Sequence, residues 1–411
     1  MTLRKRFLHS LGFGLGLWCQ GGLAGPNDVQ VGGFVSAGYL DSSHYSFLAD
    51  TEGGTTSFVE GGVHASWTAK DRLTVNGQLF AFELGPYGNF EPLVDYLFVD
   101  YNVKRAFGVR AGRIKRELGI FYHVQDIDFS RTAVLLPVGV YDQRIRDISA
   151  SLDGLSAYGN LDLWEGAYLD YTVYAGYIDL KPDGGVAGFI QSELSKAFTD
   201  LKVTSLESKY NHGMQLWLSP GIDNLRVGIG SSSFLEMSST LTGHVPEGYP
   251  APLPAGTPLD ISMKGFDMRI AHASLEYFVG TFGFFAEYAV SSTNHNYYAV
   301  PAGMQGTYAE REAEVTAWYL SASKRFGRFE AAVTHVDNRN ASDNEEPVRP
   351  MAKISIDNQF SLRYDVTDFW TLKAEIHSIE GTRQLFNQFN QNPILDETSW
   401  TLFAAKSTFF F

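Results

Sequence analysis

The chain has 411 residues, with 46 acidic and 32 basic side chains, a net charge of -14 and a single cysteine. A hydrophobic content of 44% is too high for a disordered chain, and one cysteine excludes an intramolecular disulfide framework and argues against Cys-based metal sites. The acidic balance argues against a nucleic-acid partner, which requires a basic surface. No stretch beyond the N-terminal segment offers the run of about 18 apolar residues that a membrane-spanning helix needs.

The first 24 residues have the layout of a secretory signal peptide. Arg4, Lys5 and Arg6 form a positive start, an apolar stretch follows over 7–18, and Ala24 is a small residue at the expected cleavage point. Cys19 would suit a lipoprotein box only if a small residue preceded it, and Trp18 stands there. We therefore predict a cleaved segment 1–24 and a mature, exported chain 25–411, with a net charge of -17.

The mature chain alternates apolar and polar residues with a period of two. In 369–379, Trp370, Leu372, Ala374 and Ile376 fall on one face, and Thr371, Lys373, Glu375 and His377 on the other. Successive strand residues point to opposite faces, so each such strand has one apolar and one strongly polar face. A strand placed between lipid and a water-filled lumen has this character.

Sixteen segments carry strand character, and they predict an all-β, transmembrane, antiparallel up-and-down barrel of about 16 strands (14–18). A closed barrel leaves no unpaired strand edge in lipid. The predicted strands are 29–40, 57–70, 72–83, 92–103, 106–113, 150–160, 164–177, 203–218, 224–236, 262–279, 282–293, 312–324, 327–337, 352–366, 369–380 and 399–411.

Short and long connections alternate strictly between these segments. Strands that run up and down then place all short turns at one end and all long loops at the other, as in bacterial barrels with short periplasmic turns and long external loops. The last strand ends in Phe409 and Phe411 on its apolar face, which resembles the assembly signal of Gram-negative outer-membrane proteins. The barrel-assembly machinery, outer-membrane lipid and lipopolysaccharide are therefore predicted partners, and the cell outer membrane is the predicted location.

The third long connection, residues 114–149, combines apolar runs with many charges, which predicts a loop folded into the lumen. At about 16 strands the lumen is wide enough for an aqueous channel, and facing acids and bases in a narrow passage set ion preference. An alternative reading is that these charges pair and only hold the loop in place. The candidate constriction residues are Lys115, Arg116, Glu117, Asp126, Asp128 and Arg131 from the loop and Arg110, Arg113, Asp357, Arg363, Lys373 and Glu375 from the wall.

Residues 109–115 (VRAGRIK), followed by Leu118 and Gly119, are similar to a strand-to-loop segment of the phosphate-selective porins. More broadly, the chain resembles the general and substrate-selective porins of Gram-negative bacteria. This resemblance implies an inward third loop, passive diffusion of small hydrophilic solutes or ions, and a homotrimer.

Three other connections have distinct compositions. Residues 186–201 carry apolar side chains at helical spacing, which predicts a short amphipathic helix over the barrel mouth or at a partner contact. The fifth connection is rich in proline and is expected to be extended and exposed. The seventh is rich in Asp, Asn and Glu between 337 and 346, which favours a solvated acidic loop over a Ca²⁺ site.

The sequence contains no recognised catalytic motif. His64, Ser66 and Glu60 share one strand face, a pattern that arises readily by chance. We therefore predict a porin that works by passive diffusion, with no enzyme activity, no cofactor and no metal. The alternative is a non-conducting barrel that acts as an adhesin or binding scaffold through its external loops.

Overall fold

A computed structural model describes residues 28–194, 198–248, 254–301, 307–341, 350–385 and 397–411. The predicted signal peptide lies outside these residues and stays a prediction. Residues 343–346 of the acidic seventh connection also lie outside the described residues, so the solvated loop expected there stays a prediction. None of the helices in the described part of the chain has the length and apolarity needed to cross a membrane.

Sixteen antiparallel strands form one closed barrel, in which each strand pairs with its sequence neighbours and β1 pairs with β16. The predicted fold class and strand number are confirmed. The strands are β1 (Val29–Ser42), β2 (Phe58–Lys70), β3 (Leu73–Leu84), β4 (Leu93–Lys104), β5 (Phe107–Lys115), β6 (Ser151–Trp164), β7 (Ala167–Ile178), β8 (Thr199–Pro220), β9 (Leu225–His244), β10 (Pro258–Val279), β11 (Phe282–Pro301), β12 (Thr307–Phe326), β13 (Phe329–Asn340), β14 (Ile354–Thr367), β15 (Trp370–Glu380) and β16 (Ser399–Phe410).

The two faces of the wall follow the alternation in the sequence. In β15, Leu372 and Ile376 are exposed on the outside, whereas Lys373 and Glu375 are buried on the inside. The same contrast recurs around the barrel because alternate residues of a strand point to opposite faces. The outer surface is therefore an apolar band and the inner surface is polar, as a membrane barrel requires.

Aromatic side chains mark the end of the barrel that carries the short turns. They lie within three residues of a short turn, where their rings meet the apolar band and the polar boundary. Gly166, Gly280 and Gly327 occupy these turns with positive φ angles of 76°, 62° and 62°, which glycine adopts without strain. The exposed aromatic residues at this end are Trp67, Tyr101, Phe107, Trp164, Phe282, Phe326, Phe329 and Phe369.

Strands β8 to β12 are 20–22 residues long and extend past the other strands at the loop end. The predicted bounds of these strands were too short, and the Pro-rich fifth connection shrinks to residues 245–257. In the extensions of β9 and β10 the polarity reverses. Met237, Leu241 and Ile261 are buried inside, while Thr240 and Asp260 are exposed. The lipid-facing pattern therefore stops before these strands end.

Two helices lie at the loop end of the barrel, α1 (Arg146–Ser149) and α2 (Gly185–Leu194). Helix α2 buries Val186, Ala187 and Ile190 against the extended part of β8. The helix predicted for 186–201 is thus present but ends at Leu194, because β8 already begins at Thr199. Five short 3-10 turns complete the described helical structure: Gly85–Tyr87, Tyr122–Val124, Asp128–Ser130, Gln143–Ile145 and Pro350–Lys353.

Candidate functional site

Residues 116–150 connect β5 to β6 and fold into the lumen, as predicted for the third long connection; we call them loop 3. None of these residues is exposed, although a free loop of this length would be largely solvated. Wall side chains capture its backbone amides. Gly119 N donates to Gln215 of β8 at 2.8 Å, and Ile120 N donates to Glu287 of β11 at 2.9 Å. The start of the loop is therefore fixed to the wall opposite β3 and β4.

Glu287 is the centre of this first anchor. Its carboxylate also accepts hydrogen bonds from Ser274 at 2.6 Å, from Tyr319 at 2.9 Å and from Tyr141 of the loop. The Tyr141 hydroxyl in turn accepts from the Ile120 and Phe121 amides, at 3.0 Å each. A buried carboxylate with this many donors is well satisfied, and it ties two parts of loop 3 to one point on the wall.

A second anchor holds the middle of the loop against β15. Glu375 accepts from Val134 N at 3.0 Å and from Leu135 N at 3.1 Å. The imidazole of His377 bridges Glu375 and Asp357, with nitrogen–oxygen distances of 2.8 Å on both sides. Glu375 and Asp357 were both predicted constriction residues. Here they lie together on the inner wall, where Glu375 binds the loop and Asp357 holds His377.

Asp128 is fully buried at the junction of loop 3 with β15 and β16. Lys373 lies 3.1 Å from its carboxylate, Lys406 lies 3.4 Å away and Thr408 donates to it at 2.7 Å. Arg131 of the loop is 3.9 Å away. Burial alone would raise the pKa of Asp128, but the nearby cations hold it well below its usual range. One carboxylate thus neutralises part of a group of three cations.

Lys115 forms the corresponding cluster on the other side of the lumen. Its ammonium lies 2.5 Å from Asp95 and 3.0 Å from Asp126, and Arg146 lies 3.8 Å from Asp95. Gln78 also donates to Asp126. Burial opposes ionisation of Asp126, yet Lys115 and Arg146 lower its pKa to about 2. All of these charges are buried, so they pair with one another.

The remaining predicted loop charges are also paired. Arg110 donates to Glu117 at 2.8 Å and to Asp100 at 3.0 Å. Burial would raise the pKa of Glu117, but Arg110 and His123 lower it. Arg116 donates to Ser232 at 2.6 Å and lies over the Phe234 ring, 4.4 Å from its centroid. These contacts seat the start of the loop on the wall.

Arg363 binds the loop through its backbone. Its guanidinium donates to Phe129 O at 2.6 Å and to Arg131 O at 3.3 Å, and it pairs with Asp365 at 2.7 Å. It therefore joins the Asp128 cluster from the turn side of the lumen.

Arg113 lies apart from the other predicted residues. It faces Leu97 across one strand pair and Asp153 across the other, and Leu97 points outward with 53% of its surface exposed. Its guanidinium pairs with Asp153 at 2.7 Å. Since Arg110 faces the lumen, a residue three positions further on the strand faces the opposite side. The structure thus separates Arg113 from the lumen.

Two open spaces flank loop 3. The first, about 430 Å³, is lined by the loop-end residues of β2 and β3, including Phe58 and Leu84. The second, about 680 Å³ including its open mouth, lies between the loop and the inner faces of β10 to β14. Arg131 and Leu136 line both spaces. These two residues therefore lie between the two spaces.

The sequence analysis missed several of the groups that hold loop 3: Gln78, Asp95, Gln215, Glu287 and Lys406. Gln78, Gln215, Glu287 and Lys406 lie on a strand face opposite the lipid-facing residues, and this position is the signal that could have identified them. Asp95 alternates in phase with the exposed Leu97 and Val99, and an irregularity in the β3–β4 pairing turns it inward. What the sequence does not contain is the distance across the barrel. Glu287 and Ile120 are 167 residues apart in the chain, and only the closed barrel brings them together.

No protein-family model and no curated protein matches the sequence. The structure, in contrast, is similar to solved outer-membrane barrels. The anion-selective porin from Comamonas acidovorans is 12% identical, with a TM-score of 0.53 over 94% of this chain and 100% of that chain. OmpF of Salmonella typhi, in complex with daunomycin, is 13% identical, with a TM-score of 0.54 over 94% and 98%. OmpT of Vibrio cholerae is 11% identical, with a TM-score of 0.51 over 93% and 97%. These likenesses establish the fold.

Proposed function

Because the chain has the fold of the outer-membrane porins, we propose that it is an outer-membrane channel for passive diffusion of small hydrophilic solutes or ions. The observation that carries this proposal is the position of loop 3 inside a polar lumen, with an open space on each side of the loop and with Arg131 and Leu136 lining both spaces. A loop that only covered the barrel mouth would not narrow the lumen at this depth. Diffusion down a gradient requires no cofactor, metal or catalytic group.

The proposed constriction is basic. Arg131, Lys373 and Lys406 surround the single carboxylate of Asp128, and Arg363 approaches from below. Glu60 neutralises Lys406 at 2.7 Å, which leaves an excess of positive charge at the proposed constriction. Rings of Arg and Lys favour anions in narrow pores. We therefore propose anion preference, even though the chain as a whole is acidic.

The cellular setting is part of the same proposal. The N-terminal segment 1–24 would direct export, and the C-terminal strand with Phe409 and Phe411 would engage the barrel-assembly machinery. The exposed apolar band would contact outer-membrane lipid, with lipopolysaccharide at the loop end. A homotrimer is the proposed assembly.

A second candidate function follows from the burial of the loop. The constriction charges are paired and almost inaccessible: the side chains of Lys373 and Asp128 are 0% exposed. A barrel whose loop stays in this position would not conduct, and it would act as an adhesin or scaffold through its external loops.

Planar-bilayer recording distinguishes the two functions. Purified protein is inserted under a KCl gradient, and its reversal potential is compared with those of Arg131→Gln and of Arg105→Gln, which changes an exposed turn arginine. We expect small discrete conductance steps with anion preference, which Arg131→Gln reduces and Arg105→Gln does not. No steps after confirmed insertion would refute the channel and support the scaffold. Cation preference would refute the proposed basic constriction.

A further inference from the structure

The space between loop 3 and β10 to β14 differs from the rest of the lumen. Phe278 of β10 and Phe285 of β11 face inward here, next to Phe121 of the loop. The Phe278 and Phe285 rings are 5.5 Å apart at their centroids, and the Phe121 and Phe285 rings are 6.0 Å apart. Inward positions of membrane-barrel strands are normally polar, so this aromatic wall is a departure that the barrel itself does not need.

The opposite side of the same space carries cations. Arg131 and Arg363 both line it, together with one carboxylate, Glu330, which pairs with Arg325 at 3.2 Å. The Nε atom of Arg131 is buried and has no hydrogen-bond partner in the part of the chain that the structure describes, and its side chain is only 8% exposed. A buried donor without a partner costs free energy unless an acceptor reaches it. This donor therefore points to a ligand with a negatively charged acceptor group.

Gln359 adds an unused acceptor to this space. Its side-chain nitrogen donates to Asp357 at 2.8 Å, which fixes the orientation of the amide. Its Oε1 atom is buried and has no partner among the described residues. A ligand that matches the space thus has an aromatic or similarly flat apolar body, an anionic end and a hydrogen-bond donor.

We propose that the space between loop 3 and β10 to β14 is a binding site for small aromatic carboxylates, with a preference for those that also carry a hydroxyl group. The ring lies against Phe121, Phe278 and Phe285, the carboxylate meets Arg131 and Arg363, and the hydroxyl donates to Gln359. Such sites combine a mostly apolar lining with a few polar groups that fix orientation. The inference deepens the proposed function, since it names a solute class for the channel.

Binding is measured on the purified, detergent-solubilised protein by saturation-transfer NMR and calorimetry, with empty micelles as the blank. The probes are 4-hydroxybenzoate, benzoate, acetate and benzyl alcohol. We expect 4-hydroxybenzoate to bind more tightly than benzoate. Both should bind at least about tenfold more tightly than acetate, which lacks the aromatic ring, or benzyl alcohol, which lacks the carboxylate. Equal binding of all four probes, or no binding above the micelle blank, would overturn the proposal.

Two pairs of variants locate the site. Arg131→Gln should weaken 4-hydroxybenzoate binding by about tenfold or more, while Arg105→Gln should not. Phe285→Ala should weaken it as well, while Phe284→Ala changes the neighbouring lipid-facing ring and should not. Heat-dependent gel migration confirms that each variant is folded. If Arg131→Gln and Phe285→Ala both fold and bind as the wild type does, the site is not where we place it.

The bilayer recording keeps this inference separate from the proposed function. Conductance without aromatic-acid binding refutes the binding site and leaves the channel intact. Binding to a protein that inserts but does not conduct refutes the channel and leaves the site in place.

Discussion

Replacing Glu287 with alanine is expected to release the first part of loop 3 from the wall. The carboxylate accepts from four donors, the Ile120 amide and the Ser274, Tyr319 and Tyr141 hydroxyls. Each donor left unsatisfied costs about 1–3 kcal/mol, so their sum is about 4–12 kcal/mol. Because water can enter the lumen and replace part of the loss, we take the lower end, about 4 kcal/mol, or roughly a thousandfold shift of the loop toward its released state.

Hydrogen-exchange mass spectrometry of the peptide covering residues 116–124 measures this shift directly. In Glu287→Ala its amide protection should fall by roughly a thousandfold, and single-channel conductance should rise as the lumen widens. Glu276→Ala is the matched control, because Glu276 pairs with Arg226 of the wall at 2.6 Å and has no hydrogen bond to loop 3. Unchanged protection of the Ile120 and Phe121 amides in a folded Glu287→Ala protein would refute the anchoring role.

Three further predictions concern stability, pH and assembly. Asp128→Asn should lower the unfolding temperature of the barrel, measured by loss of the heat-dependent gel shift, because it leaves Lys373 buried without its counter-ion, at a cost of about 3–5 kcal/mol. Lys406 keeps its pair with Glu60. Burial raises the pKa of Asp147 to about 6, although backbone amides including that of Val186 lower it. The folded state therefore holds an extra proton between about pH 4 and 6. The amides of α2, where Val186 N donates to Asp147 at 3.0 Å, should therefore have higher protection factors, corrected for the intrinsic exchange rate, at pH 5 than at pH 7. Phe411→Ala should reduce the fraction of protein that reaches the folded, heat-modifiable form in cells without changing the unfolding temperature of that fraction, since the backbone pair between Gly33 and Phe411 remains.

Each of these three predictions has its own control. Asp162→Asn disrupts the exposed pair with Arg105 and should leave the unfolding temperature unchanged; an equal effect of both variants would contradict the importance of burial at Asp128. Asp147→Asn should remove the pH dependence of the α2 protection factors, and its persistence would assign that dependence to another group. Phe90→Ala alters an exposed loop phenylalanine, so equal losses of yield for both Phe variants would argue against a terminal sorting cue.

The sequence was sufficient for all sixteen strands because each one must keep an apolar outer face. The ends of β8 to β12 were the exception. In the extensions of β9 and β10, beyond the apolar band, the apolar residues Met237 and Leu241 point inward. A prediction that relies on an apolar outer face therefore ends these strands too early. The length of loop 3, its many charges and its apolar runs also sufficed to place it in the lumen, because the apolar runs needed a wall to pack on.

The details of the site were less accessible from the sequence. Arg110 and Arg113 were both expected at the constriction, but residues three apart on one strand cannot share a face, and the structure puts Arg113 beside Asp153 on the outer surface. This error was avoidable from the sequence alone. The partners of Asp128 were not, because Lys373 and Lys406 reach it from strands about 250 residues away in the chain, and that proximity depends on barrel closure and register.

The position of Asp128 also constrains the order of the steps by which the barrel assembles. The barrel closes when β1 pairs with β16, a contact exemplified by Ser36 and Thr408, which are 372 residues apart in sequence. Thr408 and Lys406 of this closing strand are two of the groups that hold Asp128. Until the C-terminal strand arrives, Asp128 lacks two of the groups that hold it, and a barrel that closed around a displaced loop would bury Lys406 with one counter-ion fewer. Closure of the seam and seating of the loop are thus a single late event in biogenesis.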